Sequence, residues 1–132
     1  MLEFALDAAW QAGRISLGYF QTGLAIERKR DQSPVTRADK EAEQKLRELI
    51  QRYWPTHGII GEEFGEQKGS ENFTWIVDPI DGTKSFICGV PFYGCLIALA
   101  QGNTPVLGVA HFPALNEMVY AAHDGGCFLN GR

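Results

Sequence analysis

The stretch Thr74-Trp75-Ile76-Val77-Asp78-Pro79-Ile80-Asp81-Gly82-Thr83-Lys84-Ser85-Phe86 changes character twice. Thr74 to Val77 are all β-branched or aromatic, the composition of a buried strand. Asp78 closes that run, and Pro79 fixes its own φ and blocks a simple helical continuation. Asp81 follows after one apolar residue, Gly82 permits a sharp turn, and Thr83 to Phe86 suit the opening of a helix. The stretch reads as strand, rigid acidic turn and helix start, so the chain on either side must supply partners for its strand.

Upstream, Gly58-Ile59-Ile60-Gly61 reads as a second short apolar strand, and it too ends in acid, at Glu62-Glu63. Residues 65–72 are polar and Gly/Ser-rich and read as a surface loop. Downstream, residues 92–100, 106–112 and 118–122 read as three more strands, punctuated by the turn signals Gln101-Gly102-Asn103 and Asp124-Gly125-Gly126. Phe92, Tyr93 and Phe112 are read as core rather than as a stacking platform.

The first half has a different period. Leu2, Ala5, Leu6, Ala9, Trp10, Gly13, Leu17 and Phe20 form one stripe at helical spacing over residues 2–20. Gly13 and Gly18 either weaken that helix or mark a close contact. Residues 24–30 are read as a short strand and Asp31 to Pro34 as a turn. A second helix is predicted over 37–53, with Ala38, Ala42, Leu46, Leu49, Ile50 and Tyr53 inward and its charged residues opposite. Thr36 fits its N-cap and Asp39 its N3 position, and Pro55 and Gly58 end it. Two helices followed by a strand-rich half predict an α+β layered sandwich, with the N-terminal helices packed on a largely antiparallel sheet.

The chain has 132 residues, of which 45% are hydrophobic and 21% charged, a globular composition large enough for a core. Its 12 basic and 16 acidic residues give a net charge of −4, which offers no footprint for nucleic acid or an anionic membrane. No apolar run approaches the roughly 18–20 residues of a membrane span. Glu3 and Asp7 stand where a secretory signal would be basic. Cys88, Cys95 and Cys127 form no C-x-x-C pair and no ligand spacing with His57, His111 or His123, which disfavours a disulfide framework and zinc. A reduced, cytoplasmic setting is expected.

The chemistry lies in the acidic segments. Asp78 and Asp81 are three apart on a rigid turn and repel if both are bare. A divalent cation relieves that, and all-oxygen ligands select Mg²⁺ or Mn²⁺. If the two acid-ended strands are neighbours, both acidic pairs meet at one sheet edge, where ligands bind in open α/β sheets. The alternative is plainer: Asp-Pro and Asp-Gly serve as ordinary turns, and Glu-Glu as a solvated face. Metal, carboxylates and a helix start at Thr83 together describe metal-assisted phosphate hydrolysis.

At these residues the chain resembles the inositol-monophosphatase-like superfamily of Mg²⁺-dependent, lithium-sensitive phosphatases. The likeness rests on Gly61-Glu62-Glu63, on Trp75 to Phe86 with Asp-Pro-Ile-Asp-Gly-Thr intact, and on Lys29 to Asp39, in that family's order. It implies the first domain of the sugar-phosphatase fold over 1–132, a small phosphorylated substrate and a homodimer. It further implies two or three Mg²⁺ ions per site, with Mn²⁺ as the alternative. By the same resemblance Glu62, Asp78 and the Ile80 carbonyl hold a first metal, and Asp78 and Asp81 a second. Glu63 and Thr83 orient the attacking water, Asp39 bonds Thr83, and the Gly82 and Thr83 N–H groups hold the phosphate. Lys29 resembles a family lysine on a loop beside a weaker metal site, and it also reads as a solvated lysine in a basic run.

Lys84 to Pro91, Pro105 to Val109 and Asp31 to Glu43 resemble the histidinol-phosphate phosphatases of that superfamily. Where inositol monophosphatases usually have Asn, this chain has Ser85. Histidinol phosphate is therefore the favoured substrate, with inositol 1-phosphate or another polyol phosphate as runner-up. Family members are longer and carry a later Trp-Asp motif that completes the second metal site. Trp10, Trp54 and Trp75 are not followed by Asp, so the resemblance implies a metal cluster incomplete in this chain, a missing C-terminal domain and little or no turnover. A non-catalytic metal- or phosphate-binding module is the reading from another class.

Overall fold

The computed structural model describes residues 1–22, 26–28 and 34–132, with side chains over 1–22 and 37–132. The elements run α1 (Leu2–Tyr19), β1 (Ile26–Arg28), β2 (Pro34–Thr36), α2 (Arg37–Tyr53), β3 (Gly58–Gly61), β4 (Gly65–Gln67) and β5 (Phe73–Asp81). They continue with α3 (Thr83–Ile87), β6 (Gly94–Gln101), β7 (Thr104–Phe112), β8 (Glu117–Ala122) and β9 (Gly126–Leu129). β1 and β2 form a small antiparallel pair of their own.

The large sheet has the order β4-β3-β5-β6-β7-β8-β9. Only the β3–β5 pair in it is parallel, and every other neighbour is antiparallel. α1 lies over β5, β6 and β7, and α2 over β3 and β5, so both long helices cover one face. The expected α+β sandwich is the fold observed.

α1 reaches the sheet closely because its inner face is made of small residues: Ala5, Ala8, Ala9, Ala12, Gly13 and Ser16 are all buried. A Cβ at Gly13 would collide with the His111 imidazole of β7, so this glycine marks a close contact. His111 donates from Nδ1 to the Ala9 carbonyl at 2.9 Å, tying α1 to the sheet. Leu46, Ile50, Ile59, Trp75 and Leu99 are fully buried between the two long helices and the sheet, each contributing on the order of 1.5–3 kcal/mol. The opposite face, which includes Ile76, Ala98, Ala110 and Ala121, bears a shallow apolar groove of about 460 Å³.

His57 closes the β3–β5 pair at its N-terminal end. It stacks between Trp54 and Phe73, and its Nδ1 accepts the Trp75 Nε1–H at 3.0 Å. Burial pushes its pKa down, while Glu71, 3.6 Å from Nε2, pulls the other way.

Several local expectations change. Residues 65–67, expected in a loop, form edge strand β4 against β3, with Ile59 opposite Gln67. All three are exposed, which removes the alternation that marks a strand. β5 does not stop at Val77 but continues through Asp81 across an irregularity in its pairing with β6. Residues 126–129, read as a turn and beyond, form β9 on β8. Phe92 is 69% exposed rather than core, whereas Tyr93 is buried. On α2, Glu43 and Arg47 do not join the solvated side: both are buried on the inner face with Ala42 and Leu46. They satisfy each other there, an option that a binary apolar pattern does not register.

Candidate metal and phosphate site

β3 and β5 are parallel neighbours, in register from Gly58 opposite Thr74 to Gly61 opposite Val77. The residues after that last pair are Glu62 on one strand and Asp78 on the other. Both acidic segments thus leave the same end of the sheet, side by side, as the sequence argument required.

The Asp78 turn is shaped by its own residues. Asp78 pairs with Leu96 in the last regular position, and pairing resumes at Asp81 opposite Gly94. A bulge of this kind re-aims the side chains around it. Pro79 and Ile80 point into the protein and are buried, Asp78 is half-buried and Asp81 is exposed. Gly82 follows at φ +86°, a left-handed conformation that suits glycine, and a Cβ there would meet the Phe92 carbonyl oxygen at 2.9 Å. Gly82 also caps α3, its carbonyl accepting the Phe86 N–H at 3.1 Å. The Thr83 hydroxyl donates to the Ile80 carbonyl at 3.1 Å, and that oxygen retains a second lone pair.

The Glu62–Glu63 turn is held from outside. Glu43 on α2 accepts the Glu63 N–H at 2.7 Å through Oε2 and the Phe64 N–H at 3.2 Å through Oε1. Arg47, one helical turn on, donates from Nε to Glu43 Oε1 at 2.8 Å and from Nη2 to the Gly65 carbonyl. A Cβ at Gly61 would run into the Glu43 carboxylate. Sequence reasoning missed Glu43 and Arg47. The signal available was a charged i, i+4 pair lying among the apolar positions of α2.

Asp39 sits in the first turn of α2, at the expected N3 position, and is buried. The Thr36 side chain expected to cap that helix lies outside the described side chains, and Lys29 and residues 31–33 lie outside the described residues. Cys95, buried on β6, is inert: burial, aided by the nearby Asp78 and Asp39 carboxylates, pushes its thiol pKa far up. Among the described residues, no three His, Cys, Asp or Glu side chains already stand in metal-holding geometry. The donors are nevertheless all oxygens, two carboxylate-bearing turns and a carbonyl at one sheet end, and that chemistry fits a hard divalent cation.

The model of the inositol monophosphatase family matches residues 1–132, and the chain belongs to that family. It is 47% identical over 131 residues to a histidinol-phosphatase of Chlorobaculum parvum, covering 98% of this chain and 51% of that protein. It is 37% identical to an inositol monophosphatase of Mesembryanthemum crystallinum, covering 98% of this chain and 50% of that one. Among solved structures, the extragenic suppressor protein SuhB of Bartonella henselae superposes with a TM-score of 0.94 at 31% identity, over 99% of this chain and 52% of that one. The chain spans about half the length of the relatives it matches.

Proposed function

We propose that residues 1–132 are the metal-binding domain of a Mg²⁺-dependent phosphomonoesterase that cleaves a small phosphate ester, with histidinol phosphate the favoured substrate. The observation that carries this reading is the parallel β3–β5 register, which brings Gly61-Glu62-Glu63 alongside Asp78 to Thr83. In it Glu62, Asp78, Asp81 and the Ile80 carbonyl hold the cations, two or three Mg²⁺ or Mn²⁺. Bound there, a divalent cation offsets phosphate charge and acidifies water. Glu63 and Thr83 would orient the water, Asp39 would take the Thr83 hydroxyl that here donates to the Ile80 carbonyl, and the Gly82 and Thr83 N–H groups would hold the phosphate.

The choice of histidinol phosphate is supported by the 47% identity to the Chlorobaculum parvum protein. Inositol 1-phosphate is the second reading, supported by the 37% identity to a plant inositol monophosphatase. The third reading is a non-catalytic metal- or phosphate-binding module, in which these residues bind a cation or phosphate without turnover. Phosphate release from both esters is measured on the whole protein with Mg²⁺, with and without lithium. Mg²⁺-dependent, lithium-inhibited release, faster from histidinol phosphate, is expected. Release from neither ester would overturn the phosphatase reading. Full turnover by the 132-residue chain alone would overturn the assignment of 1–132 as one domain of a larger unit. No helix among the described residues is long and apolar enough to cross a membrane.

A further inference from the structure

We infer that Glu43, locked by Arg47, is a positioning residue that sets the direction of the Glu62 and Glu63 carboxylates and thereby the metal affinity of the site. The inference rests on the metal-site reading above and adds residues which that reading does not use.

Glu43 is fully buried, and a buried carboxylate is costly unless its lone pairs are engaged. Here three N–H donors engage it: Glu63 N at 2.7 Å, Phe64 N at 3.2 Å and Arg47 Nε at 2.8 Å. Two of those donors are consecutive main-chain amides of the acidic turn. Arg47 then reaches past Glu43 to the Gly65 carbonyl, so the pair grips both limbs of the turn. Gly61 completes the fit, because any side chain there would occupy the carboxylate's place.

The charge arrangement also matters. A further carboxylate beside an acidic site would repel its neighbours, but Arg47, itself buried, neutralises Glu43. The clamp therefore holds the turn without adding net charge to it. Its base is α2, which also carries Asp39 one helical turn before Glu43, so one rigid element sets both Asp39 and the Glu62–Glu63 turn. Glutamine at 43 would keep the size and lose the charge and one acceptor oxygen.

The test is Mg²⁺ binding by calorimetry on the full chain, with wild type, Glu43→Gln, Arg47→Lys and Asp78→Asn compared and folding checked by circular dichroism. Expected is a loss of about tenfold in affinity for Glu43→Gln, the scale of removing a group that orients metal ligands. A smaller loss is expected for Arg47→Lys, and a near-complete loss for Asp78→Asn. Amide hydrogen exchange gives a second readout: Glu63 and Phe64 should be protected in the wild type and exchange faster in Glu43→Gln. A folded Glu43→Gln chain with wild-type Mg²⁺ affinity overturns the inference and leaves the site reading standing. A wild-type chain that binds no Mg²⁺ overturns both. If Glu43→Gln does not fold, unchanged affinity in Arg47→Lys, or unprotected Glu63 and Phe64 amides in the wild type, overturns the inference alone.

Discussion

The two acidic turns lie side by side at one end of the sheet and are built by opposite means. The turn at the end of β5 is shaped chiefly from within: buried Pro79 and Ile80, left-handed Gly82 and the Thr83–Ile80 hydrogen bond are neighbours in sequence, while its bulge faces β6 and Gly82 packs on the Phe92 carbonyl. The turn after β3 has its shape imposed by Glu43 and Arg47 on α2, far away in the sequence. A turn that encodes its own geometry survives changes elsewhere, whereas a clamped turn fails when its clamp does. Substitutions should therefore act locally in the first and at a distance in the second.

The largest effect is expected at Asp78, the residue assigned to both cation positions. Asp78→Asn should lower Mg²⁺ affinity by more than about 100-fold, beyond the range for groups that only orient ligands, in a calorimetric titration. Unchanged binding would remove the first turn from the site. Next comes Gly82→Ala, which places a Cβ 2.9 Å from the Phe92 carbonyl oxygen in left-handed backbone. It should cost about 2 kcal/mol in urea unfolding, and the cost should be the same in a Glu43→Ala background.

Gly61→Ala should behave in the contrary way. Its clash is with the Glu43 carboxylate, so its cost should depend on residue 43. A double-mutant cycle of Gly61→Ala with Glu43→Ala should show a coupling of about 1 kcal/mol. A coupling of zero would erase the distinction between the turns.

The smallest effect concerns the frame the two turns share. His57 and His111 are buried with depressed pKa values, chiefly because burial disfavours the charged ring. The unfolded chain, with His near pH 6.5, then binds more protons than the folded one. Stability should be fully present above about pH 6.5 and fall as the pH drops from there through the lower folded values. Thermal melts from pH 7.5 to 5 check this, and the slope should shrink in His57→Phe. The loss should affect both turns together, because His57 fastens the opposite end of the β3–β5 pair.

Much of this was legible without coordinates. The ranges of both long helices, the apolar strands and the acidic turn at Asp78 follow from periodicity and from proline and glycine, whose constraints act within a few residues. Edge strand β4 was not legible, because Gly65 to Gln67 expose both faces and carry no alternation. Glu43 and Arg47 were not either, because a charged residue on an apolar stripe is interpretable only once its partner groups are known.

The sequence by itself determined what each segment is: a strand that ends in Asp-Pro-Ile-Asp-Gly-Thr, another that ends in Glu-Glu, and two helices with apolar faces. Dihedral restriction and side-chain chemistry are properties of single residues and their near neighbours, so they survive in a string of letters. Only the tertiary structure decided that the acid-ended strands run parallel with Gly61 beside Val77, and that α2 reaches over them to grip one turn. Register and clamp depend on contacts between residues distant in the chain, whose energies exist only when the whole sheet and its helices have come together.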